Sequence, residues 1–339
     1  MRCLTLADAL KQRGAQIRFV SRHMPEYLRE MLNTRGYEST SLNDIPGKGT
    51  VDDTSHAHWL GVSQAQDATD TGHALSDQTW DWLVVDHYAL DARWEVVLRN
   101  TAKKILVIDD IADRQHDCDV LLDQNFYADM DTRYTGKVPA HCRLLLGPRY
   151  ALLREEFLRA REQVKLRTGP IKRIFIFFGG VDADNYTARA IEALANIGNR
   201  DLCVDVVIGA QHPHRKQIEL ACADHNFVCH VQTSRMAELM AEADLAIGAG
   251  GSASWERCCL GLPALIVSLA NNQTDIAKAL NLFGACIYVG SLETASVPAM
   301  RSAIIDLLHH QDHLATLSEK SYSLVDGLGV DRIRQAMGC

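Results

Sequence analysis

Three stretches of the chain place glycines or amides just after an apolar run, an arrangement that suits an oxygen-rich ligand. In IGAGGSASWERCCLGLP, residues 247–263, an apolar strand runs into Gly250, Gly251 and Ser252, and a helix begins near Ser252. Glycines let backbone amides approach phosphate oxygens, and a helix N-terminus favours negative charge. Glu256 lies about one turn into that helix, where a carboxylate can accept hydrogen bonds from two neighbouring ribose hydroxyls. A plain strand-to-helix turn with a surface glutamate has the same pattern. In SLANNQTD, residues 268–275, the amides Asn271, Asn272 and Gln273 follow a strand. Amides read sugar hydroxyls and pyrimidine edges without adding charge; without a ligand, the segment is a turn with Thr274 as helix cap. FFGGVDADN, residues 177–185, puts Gly179 and Gly180 where a diphosphate could rest, while Asp182 and Asp184 suit helix capping.

A different chemistry is offered by WLVVDHYALDARWE, residues 82–95, where Asp86, His87 and Tyr88 end an apolar strand. A histidine flanked by an acid is an acid–base candidate, although structural His and Tyr are also common. The acids of IDDIAD (108–113) and HDCD (116–119) sit in a polar turn without partners at metal-site spacing, so capping is expected and no metal. His212 and His214 at a helix start, and His309, His310 and His313 on a late helix, read as surface residues. The chain contains no phosphate loop ending in Gly-Lys-Ser/Thr, no Gly-x-Gly-x-x-Gly at a first strand and no Gly-x-Ser-x-Gly elbow. ATP hydrolysis, nicotinamide chemistry and serine esterase chemistry therefore lose weight, and no cofactor is expected.

Positioning these residues requires alternating strands and helices. The first half reads as helix 2–13, strand 16–20, helix 25–35 and a polar stretch 40–54, then helix 62–69 and strand 81–88. Helix 91–101 and strand 104–110 follow, with weaker extended pieces at 120–125 and 143–150 and a charged helix at 151–166. Thr168-Gly169-Pro170 breaks the chain before the apolar strand RIFIFF, which suggests two domains, 1–167 and 168–339. The second half then alternates cleanly: strands at 173–178, 203–208, 228–231, 244–250, 263–268 and 286–290, with helices between them and a last one at 297–309. Such alternation predicts an α/β chain of two doubly wound, Rossmann-like domains with a ligand at the facing carboxyl ends of their strands.

The length of 339 residues fits two domains, and 47% apolar with 23% charged residues is the balance of a globular chain. A net charge of −8 argues against nucleic acid or an anionic membrane as partner. No apolar run is long enough to span a bilayer and the N-terminus lacks a signal-peptide pattern, so a cytoplasmic location is expected. The ten cysteines include no Cys-x-x-Cys pair; Cys203, Cys222 and Cys286 fall in apolar segments and Cys258 and Cys259 are adjacent, which reads as reduced, core-filling cysteine.

Taken in order along nearly the whole chain, VDHYALD, IDDIADRQHDCDVLLDQNFYA, LLLGPRYALLREEF, FFGGVDADN and GAGGSASWE with ANNQ resemble one family. It is the UDP-2,4-diacetamido-2,4,6-trideoxy-β-L-altropyranose hydrolases of bacterial pseudaminic acid synthesis, a route to flagellin glycosylation. More distantly the layout is similar to the glycosyltransferase that makes lipid II. The resemblance implies a GT-B fold and removal of UDP by water attack at the anomeric carbon, with inversion and without a metal. It implies a UDP-sugar as substrate; a monomer or weak homo-oligomer is expected. By the same resemblance UDP meets Gly180, Gly250, Gly251, Ser252, Glu256, Asn272 and Gln273. The sugar meets Asp86, His87 and Tyr88, as the catalytic group, with Asn125, Tyr150 and Arg154.

One departure stands out. A doubly wound domain opens with a strand, whereas Met1-Arg2-Cys3-Leu4 already reads as a helix. In the family a strand, a Gly-rich loop and the water-activating histidine precede that helix, so the histidine is expected upstream of residue 1. A chain without that strand keeps the UDP site and loses the base, and its residues 1–150 should be less stable than 168–339. A GT-B transferase and a non-catalytic UDP-sugar binder remain the other readings.

Overall fold

The computed structural model describes residues 1–42 and 52–339, so most of the polar stretch expected at 40–54 lies outside the described residues. The chain divides into two compact units. The first comprises residues 1–124, 129–152 and 330–339, and the second 125–128 and 153–329. The division therefore falls well before the Thr168-Gly169-Pro170 breaker.

The first unit contains α1 (Arg2–Lys11), β1 (Arg18–Ser21), α2 (Glu26–Thr34), β2 (Glu38–Ser41), α3 (Gln64–Ala74), β3 (Trp80–Val85), α4 (Ala92–Leu98), β4 (Ala102–Ile108), β5 (Val120–Asp123) and β6 (Arg143–Leu146). All its strand pairs are parallel, but they form two separate sheets, β1-β2 and β3-β4-β5-β6. Ile105, Leu106, Val107 and Ile108 of β4 are all buried. Such an unbroken apolar run marks a parallel strand covered on both faces. Ile105 and Val107 point to a core with Trp94, Leu98 and Leu121, and Leu106 and Ile108 to one with Leu6, Leu10 and Leu122.

The second unit begins with α5 (Glu155–Gln163), the charged helix that the sequence seemed to attach to the first half. There follow β7 (Arg173–Phe177), α6 (Tyr186–Ala195), β8 (Cys203–Ile208), α7 (Arg215–Asp224), β9 (Val228–Val231), α8 (Met236–Glu242), β10 (Leu245–Ala249), α9 (Ala253–Cys259), β11 (Ala264–Ser268), α10 (Asn271–Phe283), β12 (Ile287–Ser291) and α11 (Val297–His309). Two further helices lie beyond the last one read from the sequence. α12 (Gln311–Leu324) closes this unit, and α13 (Gly329–Met337) seats Ile333 and Met337 in the core of the first. β2 was also missed, because Glu38-Ser39-Thr40-Ser41 carries no apolar alternation.

The six strands of the second unit are parallel in the order β12-β11-β10-β7-β8-β9. The chain winds outward from β7 through β8 and β9, then returns to the other side of β7 at β10. A crevice outside the carboxyl ends of the strands opens at such a reversal. Here the reversal lies between β7 and β10, whose following turns are the Gly-rich segments 178–185 and 250–252.

Two corrections concern small features. Cys203 is exposed at the start of β8 rather than core-filling, whereas Cys222, Cys258, Cys259 and Cys286 are buried free thiols. His212 is buried, its Nε2 3.7 Å from Asp182, while His214 is partly exposed.

Gly248 marks the closest approach at the reversal. A Cβ built there would meet the Phe177 carbonyl oxygen at 2.2 Å. Gly248→Ala should therefore lower the stability of the second unit by about 1–3 kcal/mol, the usual cost of overpacking. Gly72→Ala, in α3 with nothing within 4 Å, should instead gain about 0.5–1 kcal/mol. Urea unfolding of both variants checks the contrast, and an unperturbed Gly248→Ala midpoint would refute the crowding.

Candidate functional site

At the carboxyl end of β10 the chain turns sharply through Gly250, Gly251 and Ser252. Gly250 donates its amide to the Val267 carbonyl at 3.1 Å, which ties the turn to β11. Ser254 and Trp255 donate to the carbonyls of Gly251 and Ser252 at 2.9 and 3.1 Å, so the turn runs directly into α9. Behind it lies the buried Arg257, whose Nη2 donates to the Ala249 carbonyl at 2.7 Å and to Ser254 Oγ at 2.9 Å. Burial of this guanidinium lowers its pKa.

The first turn of α10 stands against this turn. A Cβ on Gly250 would lie 3.4 Å from Gln273 Cβ, and one on Gly251 3.9 Å from Gln273 Nε2. Asn271, Asn272 and Gln273 are therefore the first residues of a helix rather than a loop before one. Thr274 is not the cap: its hydroxyl donates to Ser268 Oγ at 2.9 Å, and Gln273 Oε1 instead accepts from the Leu269 amide at 3.0 Å. Gln273 thus holds the turn after β11, and Asn272 lies beside it at the helix N-terminus.

Glu256, one turn into α9, is partly buried. Burial raises its pKa, and Arg154, 3.4 Å away, pulls in the opposite direction. Arg154 also bonds Glu156 at 2.8 Å. Asn125 accepts from the Trp255 indole at 3.2 Å, which places it in the second unit beside α9, not with the first-unit residues. On the neighbouring turn after β7, a Cβ at Gly209 would meet the Gly180 carbonyl oxygen at 2.2 Å, so this backbone also packs tightly. Asp182 caps α6, accepting from the amides of Tyr186 and Thr187 at 3.0 and 2.8 Å. It is turned away from any ligand at Gly179 and Gly180.

In the first unit, Asp86, His87 and Tyr88 do come together after β3, each with a partner. Arg2 donates to Asp86 at 2.7 Å and to Asp110 at 2.9 Å, Cys3 donates to Asp86 at 3.1 Å, and Tyr88 donates to Asp110 at 2.5 Å. Burial opposes ionisation of Asp86, but the Arg2 guanidinium outweighs it and holds the carboxyl below its ordinary range. His87 Nδ1 accepts from the Ala89 amide at 3.1 Å, so the neutral ring carries its proton on Nε2; burial lowers its pKa. The side chains of His56 and Trp59 pack against Tyr88 at a tilt, with centroids 5.4 and 5.7 Å away and Trp59 half exposed. This aromatic group had no signal in the sequence beyond its composition. Tyr150, by contrast, packs beside the core that holds Leu145 and Leu152.

The acids of 108–119 form an ion-pair network. Asp109 accepts from Ala112 and Tyr134 and pairs with Arg114, and His116 binds Glu95 at 2.7 Å. Among the described residues no cluster of His, Cys, Asp and Glu has metal-site geometry. No helix among them is long and apolar enough to cross a membrane.

Removing the Arg2 guanidinium leaves the buried Asp86 without its counter-charge. In Arg2→Met the Asp86 pKa should rise above the ordinary carboxylate value of about 3.9. In the wild type its folded pKa is depressed, so the pair stabilises the fold above that value and is lost as pH falls through it. Carboxyl carbon NMR titration of Asp86 checks this, and an unchanged midpoint would remove Arg2 as the cause.

Residues 173–328, nearly all of the second unit, match the glycosyltransferase family 28 C-terminal domain. The chain is 28% identical over 205 residues to the spore coat polysaccharide biosynthesis protein SpsG of Bacillus subtilis, covering 60% of this chain and 60% of that one. It is 24% identical over 251 residues to the UDP-2,4-diacetamido-2,4,6-trideoxy-β-L-altropyranose hydrolase of Campylobacter jejuni, covering 74% of this chain and 88% of that one. The crystal structure of Acinetobacter baumannii MurG superposes with a TM-score of 0.68 at 16% identity, over 99% of this chain and 95% of that one. The fold is α/β, of the GT-B type with two Rossmann-like domains.

Proposed function

We propose that this chain binds a UDP-sugar and releases UDP from it by hydrolysis, with UDP-2,4-diacetamido-2,4,6-trideoxy-β-L-altropyranose as the substrate. The supporting observation is the convergence of the Gly250–Ser252 turn, the first turn of α10 and Glu256 at the reversal of the second sheet. In this reading the amides of Gly250, Gly251 and Ser252, with Gly180 on the neighbouring turn, take the diphosphate. Glu256 accepts from the ribose hydroxyls, displacing Arg154, and Asn272 and Gln273 read the remaining polar edges. Asp86, His87 and Tyr88 act on the sugar, with Asn125 and Tyr150 as further contacts. The oxygen of water bonds to the anomeric carbon as the bond from that carbon to the β-phosphate oxygen breaks. UDP leaves with the bonding pair, the configuration inverts, and the water proton passes to a base.

The identity of that base separates this reading from two others. His87 Nδ1 is engaged by Ala89 and Asp86 is engaged by Arg2, so neither side chain stands ready to take a proton. This favours a UDP-sugar binder when the chain acts alone. The match to a glycosyltransferase domain favours transfer to an acceptor hydroxyl in place of water.

Isothermal titration should give heat with UDP. Glu256→Ala should weaken UDP by about 10–100-fold, the worth of hydrogen bonds to a charged group, and leave the 2′,3′-dideoxy analogue unaffected. With the UDP-sugar in ¹⁸O-water, label should appear on the released sugar. An absence of UDP heat defeats the binding reading, and label on phosphate defeats attack at carbon.

A further inference from the structure

In the first unit two cysteines 24 residues apart in sequence bring their Sγ atoms within 3.6 Å, as free thiols sharing a hydrogen bond. Cys118 stands just before β5 and Cys142 just before β6, and the backbone fixes both. The Asp119 amide donates to the Ile105 carbonyl at 2.9 Å, and the Arg143 amide donates to the Asp119 carbonyl at 2.9 Å. The Cys142 amide donates to the Pro139 carbonyl at 3.0 Å, which closes the turn before β6. The parallel pairing of β5 with β6 therefore holds the two thiols side by side. Their surroundings differ. Cys118 is fully buried in the core with Leu121 and Tyr134, whereas Cys142 packs against that core and is partly exposed.

We infer that Cys118 and Cys142 form a dithiol site that a peroxide converts to a disulfide, with Cys142 as the attacking thiol and Cys118 as the resolving one. Bonded sulfurs lie about 2.0 Å apart, so the pair must close by roughly 1.5 Å, a movement on the scale of a side-chain rotation. The division of roles follows from exposure and from the shared hydrogen bond. The thiolate is the species that attacks a peroxide. The hydrogen bond from Cys118 lowers the pKa of Cys142 against its partial burial, while the same bond and deeper burial raise that of Cys118. Cys142 therefore ionises first, and it is also the one that solvent reaches.

The reaction proceeds in two displacements. The Cys142 thiolate bonds to one peroxide oxygen as the O–O bond breaks, and the departing hydroxide takes up a proton to become water. Cys118 Sγ then attacks Cys142 Sγ, the S–O bond of the sulfenic acid breaks, and the Cys118 proton goes to the leaving oxygen as a second water. The dithiol loses two electrons and the peroxide gains them. The new bond closes a loop over residues 118–142, whose Arg133 and Tyr134 reach Asp123 and Asp109. Closing that loop at its neck removes open conformations from it, so oxidation holds both side chains on the acid network. This inference uses only thiols of the first unit and stands whatever ligand the chain binds.

The test is peptide mapping of the full chain after brief treatment with hydrogen peroxide and alkylation of the remaining thiols. Trypsin should release residues 115–133 joined to 138–143 through Cys118 and Cys142, and dithiothreitol should separate them. The pair should be lost about tenfold faster than the buried thiols of Cys258 and Cys259. In Cys118→Ser, dimedone should label Cys142 as a sulfenic acid; in Cys142→Ser, Cys118 should remain a thiol at the same dose. Absence of the joined peptide while the exposed Cys203 and Cys339 are oxidised overturns the proposal. So does a peptide joining Cys118 or Cys142 mainly to another cysteine, or oxidation of Cys118 at an unchanged rate in Cys142→Ser.

Discussion

A buried guanidinium holds the turn on which the second unit's site depends. Arg257 gives up hydration to lie beneath the end of β10, and hydrogen bonds to the Ala249 carbonyl and Ser254 hydroxyl offset that cost. The bond to Ala249 fixes the last carbonyl before Gly250, at the point where the chain must leave the sheet. Gly248 can lie against the Phe177 carbonyl only because it has no side chain, and this close approach leaves room for Arg257 Nη1 beside it. Arginine, two glycines and the neighbouring strand therefore specify one backbone path. Gln273 then fixes the adjoining turn from the side of α10.

The first unit solves a different problem, that of keeping many acids in one place. Asp86, Asp109, Asp110, Asp113, Asp123 and Glu95 would repel one another if left unpaired. Arg2, Arg114, Arg133 and His116 sit among them, each on at least one carboxylate. Burial opposes ionisation of Asp86 and Asp109, but beside these cations both are held below the ordinary carboxylate range. The arrangement also means that the strand-end trio is shaped by its counter-ions: Arg2 determines the charge of Asp86, and Asp110 determines the direction of the Tyr88 hydroxyl.

How far the sequence disclosed this differs between the units for physical reasons. In the second unit most strands are short apolar runs, interrupted only by Asp205 in β8 and His230 in β9 among their central residues, and their alternation with helices could be read almost to the residue. The Gly-rich turn after β10 was legible because glycine at a strand end has few other uses. The first turn of α10 was misread as a loop: Asn271-Asn272-Gln273 looks like turn chemistry, and only the structure shows that helical bonding has already started there. Arg257 was invisible, since an arginine two residues after a tryptophan on a short helix reads as a surface charge. In the first unit, Asp86, His87 and Tyr88 were legible as a cluster, but Arg2, the partner of Asp86, lies 84 residues away and Asp110, the partner of Tyr88, 22 residues away. The placement of Asn125 and of α13 was hidden in the same way, because both follow from where the chain crosses between compact units rather than from local pattern.

The division of the first sheet ties these observations together. A parallel strand gains its stability from two neighbours and two covered faces, and β4 and β5 have both. Among the described residues β1 and β3 have one neighbour each, and side chains of α1, α3 and α4 line a cavity beside them. Apolar side chains such as Leu6 and Trp94 therefore lie beside open space, where they forgo packing contacts. The same cavity reaches Asp86 and His87, whose side chains are already engaged by Arg2 and by the Ala89 amide, so the space beside β3 and the acid–base candidates share one wall.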